Sequence, residues 1–263
     1  MKIGCQTIIF GNEMHKERIE TVFKTVAEAG YAGVEIGFAR LDAAKAQDYA
    51  ALLNKYSLEM AAVHIGGNYH DEESVKMQLA AVPEIIKFTK TLKCGNIFLS
   101  GRKLKEEEGE DYRFFAESIN KLGKIIRDEG LTLSYHNHAW EIENGLHGIN
   151  TIEQYTEKEN LSFVLDVGWV VRGGGDPIGL IDRLGSRVSN IHFKEFTAAG
   201  GFTELGKGVV DFKPIYDVIK DKGFGWLIIE QDKMSPELQE IVATVYKSAV
   251  SGNYAYLKNL GAV

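Results

Sequence analysis

The run LTLSYHNHAWE, Leu131–Glu141, carries a short strand-like stretch straight into a cluster of imidazole, amide and carboxylate side chains. Successive side chains on a strand point to opposite faces, so His136 and His138 are expected on the same side. Two imidazoles on one face at a strand's end make half of a metal site. The other half is sought in FVLDVGW with Asp166, NIHFKEF with His192 and LIIEQD with Glu230. Each of these also closes a short apolar run.

Outward from this stretch, strand-type and helix-type segments alternate along the whole chain. Strands are expected over 2–8, 33–37, 58–65, 95–100, 131–138, 162–166, 188–193 and 225–230. The first helix is expected over Met14–Ala29, closed by Gly30, and the second from a cap at Asp42 to about Tyr56. Asp71 opens a stretch to Leu92 in which Pro83 predicts a kink or two helices. The acidic run Glu106–Asp111 precedes a helix to Glu129, since carboxylates suit a helix start. A short helix is expected over Thr151–Glu157. Further helices run from the loop Gly173–Pro177 to Leu184, over Phe212–Lys222, and from Ser235-Pro236 to about Leu257.

Eight strands, each followed by a helix, predict a (β/α)8 barrel forming one domain over residues 1–263. A doubly wound open sheet is the rival. The polar residues decide between them. Gln6, Glu35, His64, Ser100, His136, Asp166, His192 and Glu230 all fall at or near strand C-terminal ends. In a barrel those ends ring one mouth, whereas an open sheet would leave the first and last on opposite edges.

Composition narrows the partners. A chain of 263 residues with 44% hydrophobic and 25% charged side chains is long enough for a large core and ordinary for a globular protein. A net charge of −7 argues against nucleic-acid and anionic-membrane surfaces, which select for basic faces. The N-terminal residues carry no apolar run long enough for a signal peptide or membrane span, and the two cysteines, Cys5 and Cys94, fit a reducing compartment. A cytoplasmic location is therefore expected. Homo-oligomers through exposed barrel helices are left open.

His136, Asp166, His192 and Glu230 offer two imidazole nitrogens and two carboxylates. Such a mixed set suits a divalent cation such as Mn²⁺, Co²⁺, Zn²⁺ or Fe²⁺, whereas Mg²⁺, the remaining candidate, prefers oxygens alone. His138 is the alternative ligand or a general base beside the ion. Lys194 shares the face of His192 and is assigned to a substrate oxygen, with a salt bridge to Glu195 or Glu230 as the competing role. Trp169 and Trp140 follow ligand strands in loops, where an aromatic face suits the C–H face of a sugar, with capping of the barrel core as the competing role. Glu35 and His64, at the same mouth, are assigned to substrate. GFTELGKG, Gly201–Gly208, fails as a phosphate-binding loop because glycine stands where Ser or Thr should bind Mg²⁺.

GYAGVEIG (Gly30–Gly37), AVHIGG (Ala62–Gly67), YHNHAWE, LDVGW (Leu165–Trp169), IHFKE (Ile191–Glu195), LGKGVVDF and LIIEQD together resemble the xylose isomerase-like barrel superfamily of sugar phosphate isomerases and epimerases. The resemblance implies a divalent ion, often Mn²⁺, at His136, Asp166, His192 and Glu230, and a carboxylate for a substrate hydroxyl at Glu141. The ketose epimerases of the superfamily carry a glutamate where His136 stands, a histidine where Trp169 stands and an arginine near Ala198. The YHNH motif resembles instead a branch of sugar isomerases, inosose dehydratases and epimerases or lyases of 3-keto-glycosides.

The expected activity is thus a metal-dependent isomerase or epimerase acting on a keto-sugar through an enediolate, with Glu230, His138 and Lys194 as catalytic groups. A lyase or dehydratase on a keto-inositol or 3-keto-glycoside is the alternative. An endonuclease-IV-like DNA repair enzyme and a non-catalytic barrel are more distant readings.

Overall fold

A computed structural model of the protein describes residues 1–105, 110–232 and 242–262. Eight parallel strands close into a barrel: β1 (Lys2–Gln6), β2 (Gly33–Gly37), β3 (Glu59–Gly66), β4 (Asn96–Ser100), β5 (Thr132–His136), β6 (Ser162–Asp166), β7 (Val188–Phe193) and, eighth in the ring, β10 (Trp226–Ile229). Between the last two, β8 (Glu195–Phe196) and β9 (Phe202–Thr203) form a separate antiparallel hairpin. The barrel strands are largely buried, as expected where helices cover the outside of a parallel sheet. The central residues of β4, β5, β6 and β10 are buried throughout. The expected (β/α)8 architecture is the observed one.

By Cα packing the chain groups into 1–61 with 190–263, and 62–189; the divisions fall inside β3 and β7. In the first unit β1 pairs with β10 and β2, and β10 with β7; Gln6 stands opposite Glu35 and Ile228 opposite His192. In the second, β4 pairs with β3 and β5, and β5 with β6, so that His136 stands opposite Val164.

The helices are α1 (Gly11–Glu17), α2 (Ile19–Ala29), α3 (Ala46–Lys55), α4 (Glu72–Thr91), α5 (Tyr112–Asp128), α6 (Glu143–Gln154), α7 (Val167–Arg172), α8 (Pro177–Leu184), α9 (Phe212–Ile219) and α10 (Val242–Leu260). Aspartates start several of them by accepting a backbone N–H: Asp71 from Ser74, Asp111 from Phe114, Asp166 from Trp169 and Asp176 from Ile178. Gly30 ends α2 at φ +105°, a conformation open to glycine at little cost.

Several expectations are corrected. The helix expected over 14–29 is two, broken at Arg18, where buried His15 turns back to Gly11 O and Thr7 Oγ1. Of the kink or two helices expected at Pro83, two helices are not found: α4 runs as one, with Val82, Ile85, Ile86 and Phe88 buried. β5 stops at His136, which leaves His138 beyond the strand. The short helix expected over 151–157 is the end of α6, whose Asn144, Gly145 and Leu146 have positive φ. Trp169, placed in a loop, lies in the first turn of α7. Residues 106–109 of the acidic run and the helix start at Ser235-Pro236 lie outside the described residues.

Candidate metal centre and active site

In the first unit, His192 occupies the fifth position of β7 and is fully buried. Its Nδ1 lies 2.9 Å from Glu230 Oε2, one residue past β10. Its Nε2 lies 2.8 Å from Oε2 of Glu35 in β2, an ion-pair separation outside hydrogen-bond alignment. Glu35, expected to meet substrate, is 0% exposed and lies against His192. Thr7 Oγ1 holds its backbone by donating to Glu35 O at 3.1 Å. Burial, with Glu35 adding, pushes the nearby Cys5 thiol up to about 12, so this cysteine stays protonated and inert.

Lys194, 2% exposed, donates to Glu230 Oε1 and to Asp232 Oδ2, both at 2.8 Å. Of its two expected salt-bridge partners the structure selects Glu230. Glu195 points elsewhere and accepts the backbone N–H groups of Phe196, Val209 and Val210. Asp232 also lines a cavity of about 570 Å³, together with Ile8, Asn12, Arg40 and Phe202. Asp232, Arg40 and Phe202 were not singled out from the sequence. Asp232 carried a signal, because it lies two residues past Glu230 and shares its side of an extended chain.

In the second unit, His136 ends β5 and Asp166 ends β6, with His136 Nε2 3.5 Å from Asp166 Oδ2. Ser100 Oγ, at the end of β4, lies 3.4 Å from His136 Nδ1 and 2.8 Å from His64 Nε2. His138 stacks on Trp140 at 4.2 Å between centroids and 12° between planes, with Trp169 at 5.5 Å. Its ring stands edge-on to His136 at 5.3 Å. Arg172 lies over the Trp169 ring.

Glu141, expected to bind a substrate hydroxyl, is 0% exposed. Its oxygens accept from Tyr135 Oη and His138 N, both at 2.7 Å. Burial raises its carboxyl to about 7 against these hydrogen bonds, which favour the ion. Glu141 thus shapes the loop that carries His138 from within the protein.

Together, one ligand atom from each of His136, Asp166, His192 and Glu230 lies within 4.8 Å of all the others, and all four residues are buried. Two imidazoles and two carboxylates are a donor set that fits a divalent transition cation. The cluster is therefore able to hold a metal ion.

The chain matches the family described as xylose isomerase-like TIM barrel over residues 23–247, and it belongs to that family. Among curated proteins it is 24% identical over 248 residues to an inosose dehydratase of Geobacillus kaustophilus, covering 81% of this chain and 80% of that one. Among solved structures it resembles a sugar phosphate isomerase/epimerase from Parabacteroides distasonis, at a TM-score of 0.80 and 20% identity, over 97% of this chain and 93% of that one. It also resembles the probable 3-DHS dehydratase AsbF from Bacillus anthracis, at a TM-score of 0.74 and 14% identity, over 98% and 99%. Among the described residues, no helix is long and apolar enough to cross a membrane.

Proposed function

We propose that the protein is a metal-dependent enzyme that removes a proton next to the carbonyl of a keto-polyol or keto-sugar, and that the enediolate so formed loses a β-hydroxyl as water. The buried convergence of His136, Asp166, His192 and Glu230 carries this reading. It is supported by the likeness to an inosose dehydratase over most of both chains. Weight therefore moves from isomerisation, the first expectation, to dehydration. His136, Asp166, His192 and Glu230 are the proposed ligands, and Mn²⁺ the proposed ion. A bound divalent cation polarises a carbonyl and lowers the cost of negative charge developing on its oxygen.

The chain's own groups supply the proton transfers. Glu230 lies at the edge of the buried cluster, 6% exposed, and is the proposed acceptor of the α proton. Lys194, held between Glu230 and Asp232, presents a cation to a substrate oxygen beside that carboxylate. His138 is the proposed second proton carrier, its ring fixed by the two tryptophans. Loss of the β-hydroxyl with one proton releases water and leaves an α,β-unsaturated ketone. Trp169 and His64 are proposed to contact the substrate, Trp169 through its ring face.

Isomerisation or epimerisation is the second reading, favoured by the presence of two separately held proton carriers, Glu230 and His138. It differs only in the fate of the enediolate. Keto-inositols and keto-sugars incubated with Mn²⁺-loaded protein in deuterated water separate the two. Loss of one water by mass spectrometry is expected. Solvent deuterium at the α carbon without water loss selects the second reading, and neither change across the panel overturns both. A small carbohydrate, neither nucleic acid nor membrane, is the proposed partner, and the cytoplasm the proposed location.

A further inference from the structure

Between the two histidines of the HNH sequence lies Asn137, fully buried and one residue past the end of β5. Its side-chain Oδ1 accepts the backbone N–H of Asp166 at 3.0 Å, and its Nδ2 donates to the backbone carbonyl of Asp166 at 3.3 Å. One side-chain amide thus meets both backbone polar groups of a single residue on the neighbouring strand. It continues the β5–β6 ladder beyond the place where the two backbones stop pairing. The Asp166 carboxylate is fixed from its other end as well, because Oδ1 accepts Trp169 N at 2.9 Å and starts α7. With the backbone held by Asn137 and one oxygen held by α7, the remaining oxygen, Oδ2, faces His136 Nε2.

We infer that Asn137 is a positioning residue of the metal centre: its amide ties the strand end bearing His136 to the one bearing Asp166, so that both present their donors to one cation. This rests on the metal-centre reading above. Asn is the residue that fits. A carboxylate there could accept from Asp166 N but would face the Asp166 carbonyl with no proton to donate, and a shorter side chain would not span both groups. Ordering two ligands before the ion arrives removes part of the ordering cost of binding, and supporting residues of this kind commonly set metal affinity by about 10–100-fold.

The test uses Zn²⁺ as probe on full-length N137A and N137D, with affinity from chelator competition and fold from circular dichroism. The control is I97V, a core change in β4 that touches no ligand. Both Asn137 variants are expected to bind Zn²⁺ about 10–100-fold more weakly than wild type while folded, and I97V to keep wild-type affinity. A folded Asn137 variant with wild-type affinity overturns the inference. Should neither variant fold, hydrogen exchange in the metal-free wild type decides. The Asn137 side-chain amide and the Asp166 N–H are expected to exchange slowly, and fast exchange of either overturns the clamp. A wild-type protein that binds no Zn²⁺ sinks the metal reading instead, leaving exchange to judge the clamp alone.

Discussion

The surroundings of His192 and of His136 differ in kind. Around His192, within one unit of the barrel, the polar groups are ionic: Glu35, Glu230, Lys194 and Asp232 run in an unbroken series of contacts at 2.8–2.9 Å. Around His136, within the other, the charged contact from the same unit is Asp166; the rest are the Ser100 hydroxyl, the His64 imidazole, the Asn137 amide and the His138 ring. Removing a side chain from the first region leaves a buried charge without its counter-charge. Removing one from the second leaves a dipole without a partner. Buried charges cost several kcal/mol when orphaned and dipoles about 1–3 kcal/mol. Substitutions near His192 should therefore act hard and those near His136 softly.

The sharpest test of the ionic side is Glu230→Gln, which keeps shape and removes both the proposed base and an anionic donor. Turnover is expected to fall by at least about 10²–10⁴-fold with the circular dichroism spectrum unchanged. A Gln variant that turns over at the wild-type rate removes Glu230 from the mechanism. Next is Lys194→Met, which fills the space and leaves Glu230 and Asp232 facing each other without a cation. A loss of about 3 kcal/mol in denaturant unfolding is expected. If Lys194→Met unfolds at the wild-type midpoint, the ionic series contributes nothing to stability and the contrast between the two regions fails.

Legibility in the sequence followed the same division. The barrel was readable because strand after strand ended in a polar residue, and only a closed ring puts Gln6 and Glu230 at one mouth. His192, Asp166 and Glu230 were readable because each broke an apolar run where every neighbour had to be buried. Glu35 was visible for the same reason and Glu141 through the family resemblance, yet their placement was not. Whether a carboxylate at a strand end faces the mouth or a neighbouring residue depends on packing, and both proved wholly buried. Asn137 escaped notice for the opposite reason: an amide between two histidines has no chemistry of its own, and its two hydrogen bonds go to a backbone 29 residues away. The split of the first helix at Arg18 and the two-residue strands of the β8–β9 hairpin are too short to leave a periodic signature.

Glu141 is the carboxylate that tests the softer side from within. Its folded-state value, raised to about 7 from an ordinary 4.5, means that the folded chain holds this proton where the unfolded chain has released it. Stability from this group is full below about pH 4.5 and declines as pH rises to about 7, by about 3 kcal/mol for a shift of this size. Glu141→Gln keeps an acceptor for His138 N and removes the titration. Relative to Glu141→Gln, the wild type should lose stability between pH 4.5 and 7.5. Parallel stability curves for the two proteins would show that Glu141 is ionised throughout and that this region is charged after all.

The smallest effect is expected at Ser100. Its hydroxyl stands between His64 Nε2 at 2.8 Å and His136 Nδ1 at 3.4 Å, so it connects a proposed substrate contact to a proposed ligand. The longer of these distances marks a weak bond, and the hydroxyl carries no charge, so Ser100→Ala removes about 1 kcal/mol of interaction at most. Metal affinity should weaken by less than about 10-fold, and the fold should be unaffected. The Asn137 variants, which release two bonds from the backbone of a ligand, should exceed this in the same Zn²⁺ competition assay. Were Ser100→Ala to weaken Zn²⁺ binding as much as N137A does, orientation of the His136 ring, rather than the tie between the two strand ends, would be what sets affinity on this side of the centre.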